Sequence, residues 1–169
     1  MNIIKFKSHK KNIKCEFSFN KKLKWFIQTY KLTSKSFNLN RHKQNGFHPI
    51  RPKRGEIYLI DFGQNIGSEI NDIHMGIIIQ SSIKNNVSNT VIVVPISSSP
   101  KLCDTHEPIT NLDIQSGHLN KIPSKAKAEQ LTCIDKARLI HKIGNLTPDF
   151  MHRLDTRILR NLDIKQDVA

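Results

Sequence analysis

Residues 54–99 read RGEIYLIDFGQNIGSEINDIHMGIIIQSSIKNNVSNTVIVVPISSS. Three short β-type runs lie in this stretch. Residues 56–62 alternate, with Ile57, Leu59 and Asp61 facing one way and Tyr58, Ile60 and Phe62 the other. Residues 76–80 are apolar on both faces, which predicts a central strand. Residues 90–96 form the third run, and Pro95 near its end predicts an edge or a bulge. A polar loop over 63–74 joins the first two runs and carries Gly67-Ser68-Glu69. Ser97, Ser98 and Ser99 follow the third. A loop bearing a carboxylate and a histidine, close to hydroxyls at a strand end, is a candidate reaction site.

Downstream, residues 81–89 read as a polar connection and 106–109 as a short strand. A long polar loop covers 110–123. Residues 124–134 read as another strand, 135–138 as one helical turn, and 139–143 as a last strand ended by Gly144. Thr147-Pro148-Asp149 is a helix start: a threonine cap, proline at the first helical position and an acid in the first turn. Met151, Leu154, Ile158 and Leu162 then recur at helical spacing, so a helix over 148–162 is expected to seal the sheet. Many short strands and one terminal helix describe a small, strongly curved sheet or barrel. There is no internal repeat and no glycine-rich phosphate loop.

The upstream segment differs in charge. Residues 1–50 hold 12 Lys/Arg and a single acid, Glu16, whereas 51–169 hold 15 Lys/Arg and 13 acids. Nearly all of the net +13 therefore sits on the first 50 residues. A cationic arm of this kind is attracted to polyanions, RNA above all, or to an acidic protein. Residues 1–14 lack periodicity and are expected to be disordered or loosely held. Phe19, Leu23, Phe26, Ile27 and Tyr30 fall at helical spacing among lysines, which predicts a basic amphipathic helix capped by Ser18 or Asn20. Its apolar stripe either packs on the main domain or presents Trp25 and Phe26 for stacking on bases. Residues 33–52 read as a linker, so an extension over 1–52 precedes a domain over 53–165.

Composition also excludes classes. No apolar run approaches the roughly 20 residues of a membrane helix. The N-terminus lacks the apolar stretch of a signal peptide, which points to a cytoplasmic protein without membrane contact. Cys15, Cys103 and Cys133 make no CxxC pair, which argues against a zinc site or a disulfide framework.

In their order, several short pieces resemble the MazF/PemK toxins of type II toxin–antitoxin systems. They are Arg54-Gly55-Glu56-Ile57-Tyr58, Asp61-Phe62, Gly67-Ser68-Glu69, Ile78-Ile79-Gln80, Ser88-Asn89-Thr90-Val91 and Ile96-Ser97. Glu129-Gln130-Leu131, Ile134-Asp135-Lys136-Ala137-Arg138-Leu139 and Ile143-Gly144-Asn145-Leu146 continue the series. The resemblance implies a mainly β fold with a C-terminal helix, an SH3-like (MazF/PemK/CcdB-type) small barrel, here preceded by a basic helical extension. It implies a homodimer that cuts single-stranded RNA without metal or other cofactor, neutralised by an acidic antitoxin. It also implies an active site at the dimer groove, built from an arginine after Gly-Ser-Glu and a hydroxyl after the third strand.

The site departs from that pattern. His74 stands at the arginine position and Met75 at the following proline. Ile70, Asn71 and Asp72 replace the usual glutamine and small residues, and Thr132 stands where an arginine is common. Ser97 keeps the hydroxyl and Glu69 the carboxylate. RNA cleavage by the 2′-hydroxyl needs a base, an acid and donors for the phosphorane. Histidine cannot copy the bidentate guanidinium clamp, but it exchanges protons near neutral pH. The expected catalytic set is thus His74 as acid/base, Ser97 as phosphate donor and Glu69 as orienting carboxylate or second base. Arg54, Ser68, Ser98 and Gln130 are the expected RNA contacts, although Arg54 also suits a solvated strand end and Gln130 a structural hydrogen bond. Arg138 suits a surface ion pair, and Ser99 a turn. His106 or His118 would complete a histidine pair. The competing readings are an inactive relative that binds RNA or antitoxin, and an inhibitor of another macromolecule, as in the gyrase-poisoning relatives of this fold.

Overall fold

A computed structural model describes residues 11–165, with the side chains of 11–19 and 21 outside that description. Of the expected loosely held segment 1–14, residues 1–10 lie outside the described part and 11–14 are instead the start of a helix; the Phe19 side chain also lies outside it. The elements, in order, are α1 (Lys11–Arg41), β1 (Glu56–Asp61), β2 (Ile73–Ile78), α2 (Ser82–Val87), β3 (Thr90–Ser97), β4 (His106–Ile109), β5 (Ile114–Gly117), β6 (Ser124–Lys127), β7 (Thr132–Asp135), β8 (Leu139–Leu146) and α3 (Pro148–Asn161). One curled antiparallel sheet runs β4-β6-β3-β2-β1-β8-β5, with β7 also on β3.

The alternation of the first three strands divides the apolar side chains between two faces. Ile57, Ile77, Val94 and Ile96 enter one cluster with Phe150, Met151 and Leu154 of α3. Ile60, Phe62, Ile78, Val91 and Val93 enter a second with Ile134 and Leu139. Helix α3 begins as its local chemistry dictates: the Thr147 hydroxyl accepts from the Phe150 amide, with Pro148 in the first turn. Met151 and Leu154 are buried, whereas Leu162 lies past the helix and is exposed.

Several expectations are corrected. Strand β3 is central rather than an edge. Its first half pairs with β7 and its last two residues with β6, and Pro95 falls at the change of partner. For the same reason 124–134 is two strands, separated by the 3-10 turn Ala128–Gln130. The polar connection after β2 holds α2. The loop after β4 holds the 3-10 turn Asn111–Asp113 and β5. Strand β5 crosses β8 so closely that a Cβ on Gly117 would lie 2.2 Å from the Ile143 carbonyl oxygen. Glycine is therefore required there on steric grounds.

The basic helix also differs from its expectation. It is one 31-residue helix, with Ser18 and Asn20 in its interior rather than at a cap. It continues through the first part of the expected linker. Thr33, Ser34, Ser36, Asn38 and Asn40 are weak helix formers, so tertiary anchors carry this part. Lys35 donates to the carbonyls of Ala137 and Leu139 at 2.7 and 3.1 Å, and the Ser36 hydroxyl to Asp135 at 2.7 Å. The face that docks is thus mostly polar. Phe26, Tyr30 and Phe37 remain 67%, 71% and 62% exposed.

Candidate active site

The hairpin of β1 and β2 sets His74 opposite Ile60, and β2 pairs with β3 from Gly76–Pro95 to Ile78–Val93. That pairing ends at Gly76–Pro95, and His74 and Ser97 each lie two residues beyond it on their own strands. Both line an open cleft of about 930 Å³. Ile96 is the buried part of its floor, with Leu59, Met75 and Ile143 half-buried beside it. Met75 and Ile96 are the chain neighbours of His74 and Ser97, which are themselves half-buried in the cleft wall.

Two further histidines border the cleft. His118 follows Gly117 at the end of β5, and His141 lies on β8 opposite Leu59. Ser98, Ser99, Asn120, Lys121 and Lys142 complete its polar side. Lys142 is also paired with Glu56 at 2.7 Å. The rings of His74, His118 and His141 make no hydrogen bond to another described residue, which leaves their nitrogens available to a ligand. Among the described residues no three His, Cys, Asp or Glu side chains converge as a metal site. Such an arrangement offers several proton-exchanging groups, hydroxyl donors and an ammonium around one apolar floor.

The other expected site residues lie elsewhere. Ser68, Glu69 and Gln130 line a second cleft of about 600 Å³, formed between the 63–72 loop and the 129–134 segment. Glu69 accepts from the Ile66 amide at 3.0 Å, closing its own loop. The Gln130 amide donates to the Ser68 carbonyl at 2.9 Å and so braces that loop. Arg138 donates to the Asp61 carbonyl at 3.0 Å and, among the described residues, forms no ion pair. Arg54 is held by the Ile79 carbonyl and by Asp155 of α3. The structure thus brings His74, Ser97 and Ser98 together and separates them from Glu69, Ser68, Gln130 and Arg54. Physically, the loop folds back toward the 129–134 segment, while β2 carries His74 toward the end of β3.

Of the two histidines weighed as partners, His118 reaches the cleft and His106 does not. His106 is buried, accepting from the Cys103 amide at 3.2 Å and lying 3.1 Å from Glu129. Burial pushes the Glu129 carboxyl up, but hydrogen bonds from its own backbone, Thr105 and His106 outweigh this and hold it below its usual value. His141 was not among the expected residues. Its signal was His141-Lys142, two polar residues inside a strand where apolar ones would be expected.

A family model described as PemK-like, MazF-like toxin of type II toxin-antitoxin system matches residues 53–162. The chain belongs to this family. Within the PemK/MazF family, the endoribonuclease EndoA of Bacillus subtilis (strain 168) is 31% identical over 104 residues, covering 61% of this chain and 87% of that protein. An endoribonuclease from Mycobacterial species superposes with a TM-score of 0.56 at 17% identity, over 69% of this chain and 96% of that one. MazF from Deinococcus radiodurans (Form-I) gives a TM-score of 0.56 at 15% identity, over 68% and 98%. A further mycobacterial endoribonuclease, solved with its cognate antitoxin, gives 0.55 at 18% identity, over 68% and 98%. These structural likenesses establish the PemK/MazF fold of the barrel, and the helix α1 precedes the matched region.

Proposed function

We propose that the protein is the endoribonuclease of a type II toxin–antitoxin pair, cutting single-stranded RNA at a short sequence without a metal. The toxin domain is residues 53–165, preceded by the basic extension 1–52. It works as a cytoplasmic homodimer whose clefts face a shared groove, and an acidic antitoxin neutralises it by covering the cationic rim. The observation that carries this reading is the cleft where His74, Ser97, His118 and His141 meet.

The substrate's own 2′-hydroxyl is the nucleophile. An imidazole, with His74 first in line, removes its proton as the O2′–P bond forms. Ser97 and Ser98 hydroxyls and the Lys121 ammonium donate to the phosphorane oxygens, where charge accumulates. A second imidazole, His118 or His141, protonates the departing O5′ as the P–O5′ bond breaks. The products are a 2′,3′-cyclic phosphate and a 5′-hydroxyl. Two imidazoles in opposite protonation states replace the guanidinium of the family pattern, supplying proton transfer where the arginine would supply a clamp.

A specific observation favours a second reading. No arginine lines the cleft, and Arg54 is engaged by Asp155. The protein would then bind RNA or antitoxin without cutting. Purified protein incubated with a long RNA in EDTA separates the two. Products with cyclic-phosphate ends, lost in His74→Ala, support the nuclease. Tight RNA binding with intact RNA supports the binder.

A further inference from the structure

The tight turn after β1 brings Gly63 against the N-terminal helix. Gly63 has φ +79°, and a Cβ there would sit 3.0 Å from Arg138 Nη1 and 3.4 Å from Trp25 Nε1. A side chain at this position would therefore fill the space beside the indole. In the seam between α1 and the loop, Lys22, Trp25, Phe26 and Gln64 line a shallow recess of about 460 Å³. Trp25 is 40% exposed and Phe26 more so. Aromatic side chains usually bury 150–250 Å² each, so leaving two adjacent ones in water forgoes a substantial gain.

We propose that this recess receives an unpaired base of a single-stranded RNA on the Trp25 and Phe26 rings, with Lys22 on the neighbouring phosphate and the Gln64 amide at the base edge. The proposal rests on the RNA reading above and adds a binding site outside the barrel cleft. Stacking platforms set among basic residues are how sequence-tolerant single-strand binding is built. The charge supports this occupant, since residues 1–50 carry 12 Lys/Arg against one acid. The same charge opposes a second copy of the helix, whose lysines would face one another.

Position supports it as well. The Asp72 amide donates to the Gly63 carbonyl at 2.6 Å, across the hairpin. His74 lies two residues beyond, opposite Ile60. At about 3.4 Å per strand residue, the recess begins roughly 10 Å along the hairpin from His74. The recess and the His74 cleft thus adjoin the same β1–β2 hairpin, with the recess beside Arg138. The arm then acts as a second grip that favours substrates longer than the cleaved sequence.

Trp25 is the one tryptophan of the chain, so its emission reports on the recess without a label. The full-length protein is titrated in EDTA with a fluorescein-labelled 2′-O-methyl RNA 12-mer, which lacks the attacking hydroxyl. The expected result is tryptophan quenching that saturates together with the rise in RNA anisotropy. Trp25→Phe should bind within about 2-fold of the parent, because a ring remains. Trp25→Ala/Phe26→Ala, verified as folded by circular dichroism, should weaken binding roughly 5- to 100-fold. A Lys22→Ala/Gln64→Ala variant, which leaves both rings in place, should weaken it several-fold. Anisotropy that saturates with unchanged emission and no loss in either double variant overturns the proposal, while the RNA reading stands. Absence of both RNA binding and cleavage overturns the two together. Emission that shifts with protein concentration alone, or with anionic vesicles but not RNA, assigns the seam to another occupant and also overturns it.

Discussion

The Gln28 side chain donates to Asp61 at 2.8 Å, tying the N-terminal helix to the last residue of β1. The same carboxylate accepts from the Gly63 amide at 2.9 Å, so one acid holds the helix and starts the turn toward the 63–72 loop. With the Lys35 and Ser36 bonds, this makes a polar dock for the basic arm.

Such a dock is sensitive to single polar deletions. Each hydrogen bond contributes about 1 kcal/mol net. Gln28→Ala/Lys35→Ala removes three such bonds and should loosen α1 by about 3 kcal/mol without melting the barrel. Amide hydrogen exchange should rise along α1 and stay unchanged in β3. Equal protection of α1 in parent and variant would show that the half-buried Leu32 and Leu39 hold it instead.

At the cleft, His74→Ala should slow RNA cleavage by about 10²- to 10⁴-fold, the usual share of a general acid or base. Ser97→Ala should cost about 10²-fold as a lost phosphorane donor. Because both side chains are half-buried and outside the two core clusters, stability should change by no more than about 1 kcal/mol. Single-turnover rates with a thermal melt check this. Full activity in His74→Ala would transfer the proton chemistry to His118 and His141.

Arg153 donates to Glu107 at 2.9 Å and to Asp113 at 2.7 Å, and both carboxylates are buried. Burial alone pushes the Asp113 carboxyl up. Hydrogen bonds from Arg153 and from the Thr110 backbone and hydroxyl more than offset that, holding it below its usual value. Because the native carboxyl titrates lower than the unfolded one, its contribution is present above the ordinary aspartate range and is lost as pH falls through the native value. Arg153→Met should destabilise by roughly 2 kcal/mol, less than a fully buried pair because the arginine is partly exposed. Urea melts from pH 7 to 3 should show a shallower acid loss in the variant. Parallel curves would exclude the pair as a source of acid sensitivity.

Lys136 is fully buried and donates to the Asn85 carbonyl. Burial chiefly, with the nearby Lys43 charge, pushes its ammonium down to about 8, against a smaller opposing pull from Asp135. Between that value and the ordinary lysine range the unfolded chain binds the proton and the native chain does not. Stability from this group therefore rises with pH across the window and is flat below it. The whole rise is on the order of 3 kcal/mol. Lys136→Met should remove the rise, seen as denaturation midpoints that no longer climb from pH 8 to 10. A climb of the same size in the variant would place its source elsewhere.

Much of the barrel is legible in local pattern. The alternation of 56–62 and the Thr147-Pro148-Asp149 start act within a few residues, and their elements stand where these signals lie, whereas β2 begins three residues before the expected 76–80 and takes in His74, expected in the loop. Strand β5 was not legible. Ile114-Gln115-Ser116-Gly117 is mostly exposed and polar, and it is a strand only because β8 lies beside it. The division of 124–134 was hidden likewise, since two separate ends of β3 supply its partners. At the site, His74, Ser97, Ser98 and His118 could be named from order and residue type, whereas His141 sat unnoticed in a strand.

Sequence by itself determined the charge asymmetry, the family pattern, the sheet-forming runs and the terminal helix. These depend on composition and on preferences that span a few bonds. Tertiary structure decided that Glu69 lies in a different cleft from His74, five residues away, because the loop and the strand after it follow separate long-range partners. It also decided that the arm docks through Gln28, Lys35 and Ser36 and turns its aromatic rings to water. Helical spacing defines a stripe, but only the groups on the barrel surface select which side of the helix they bind.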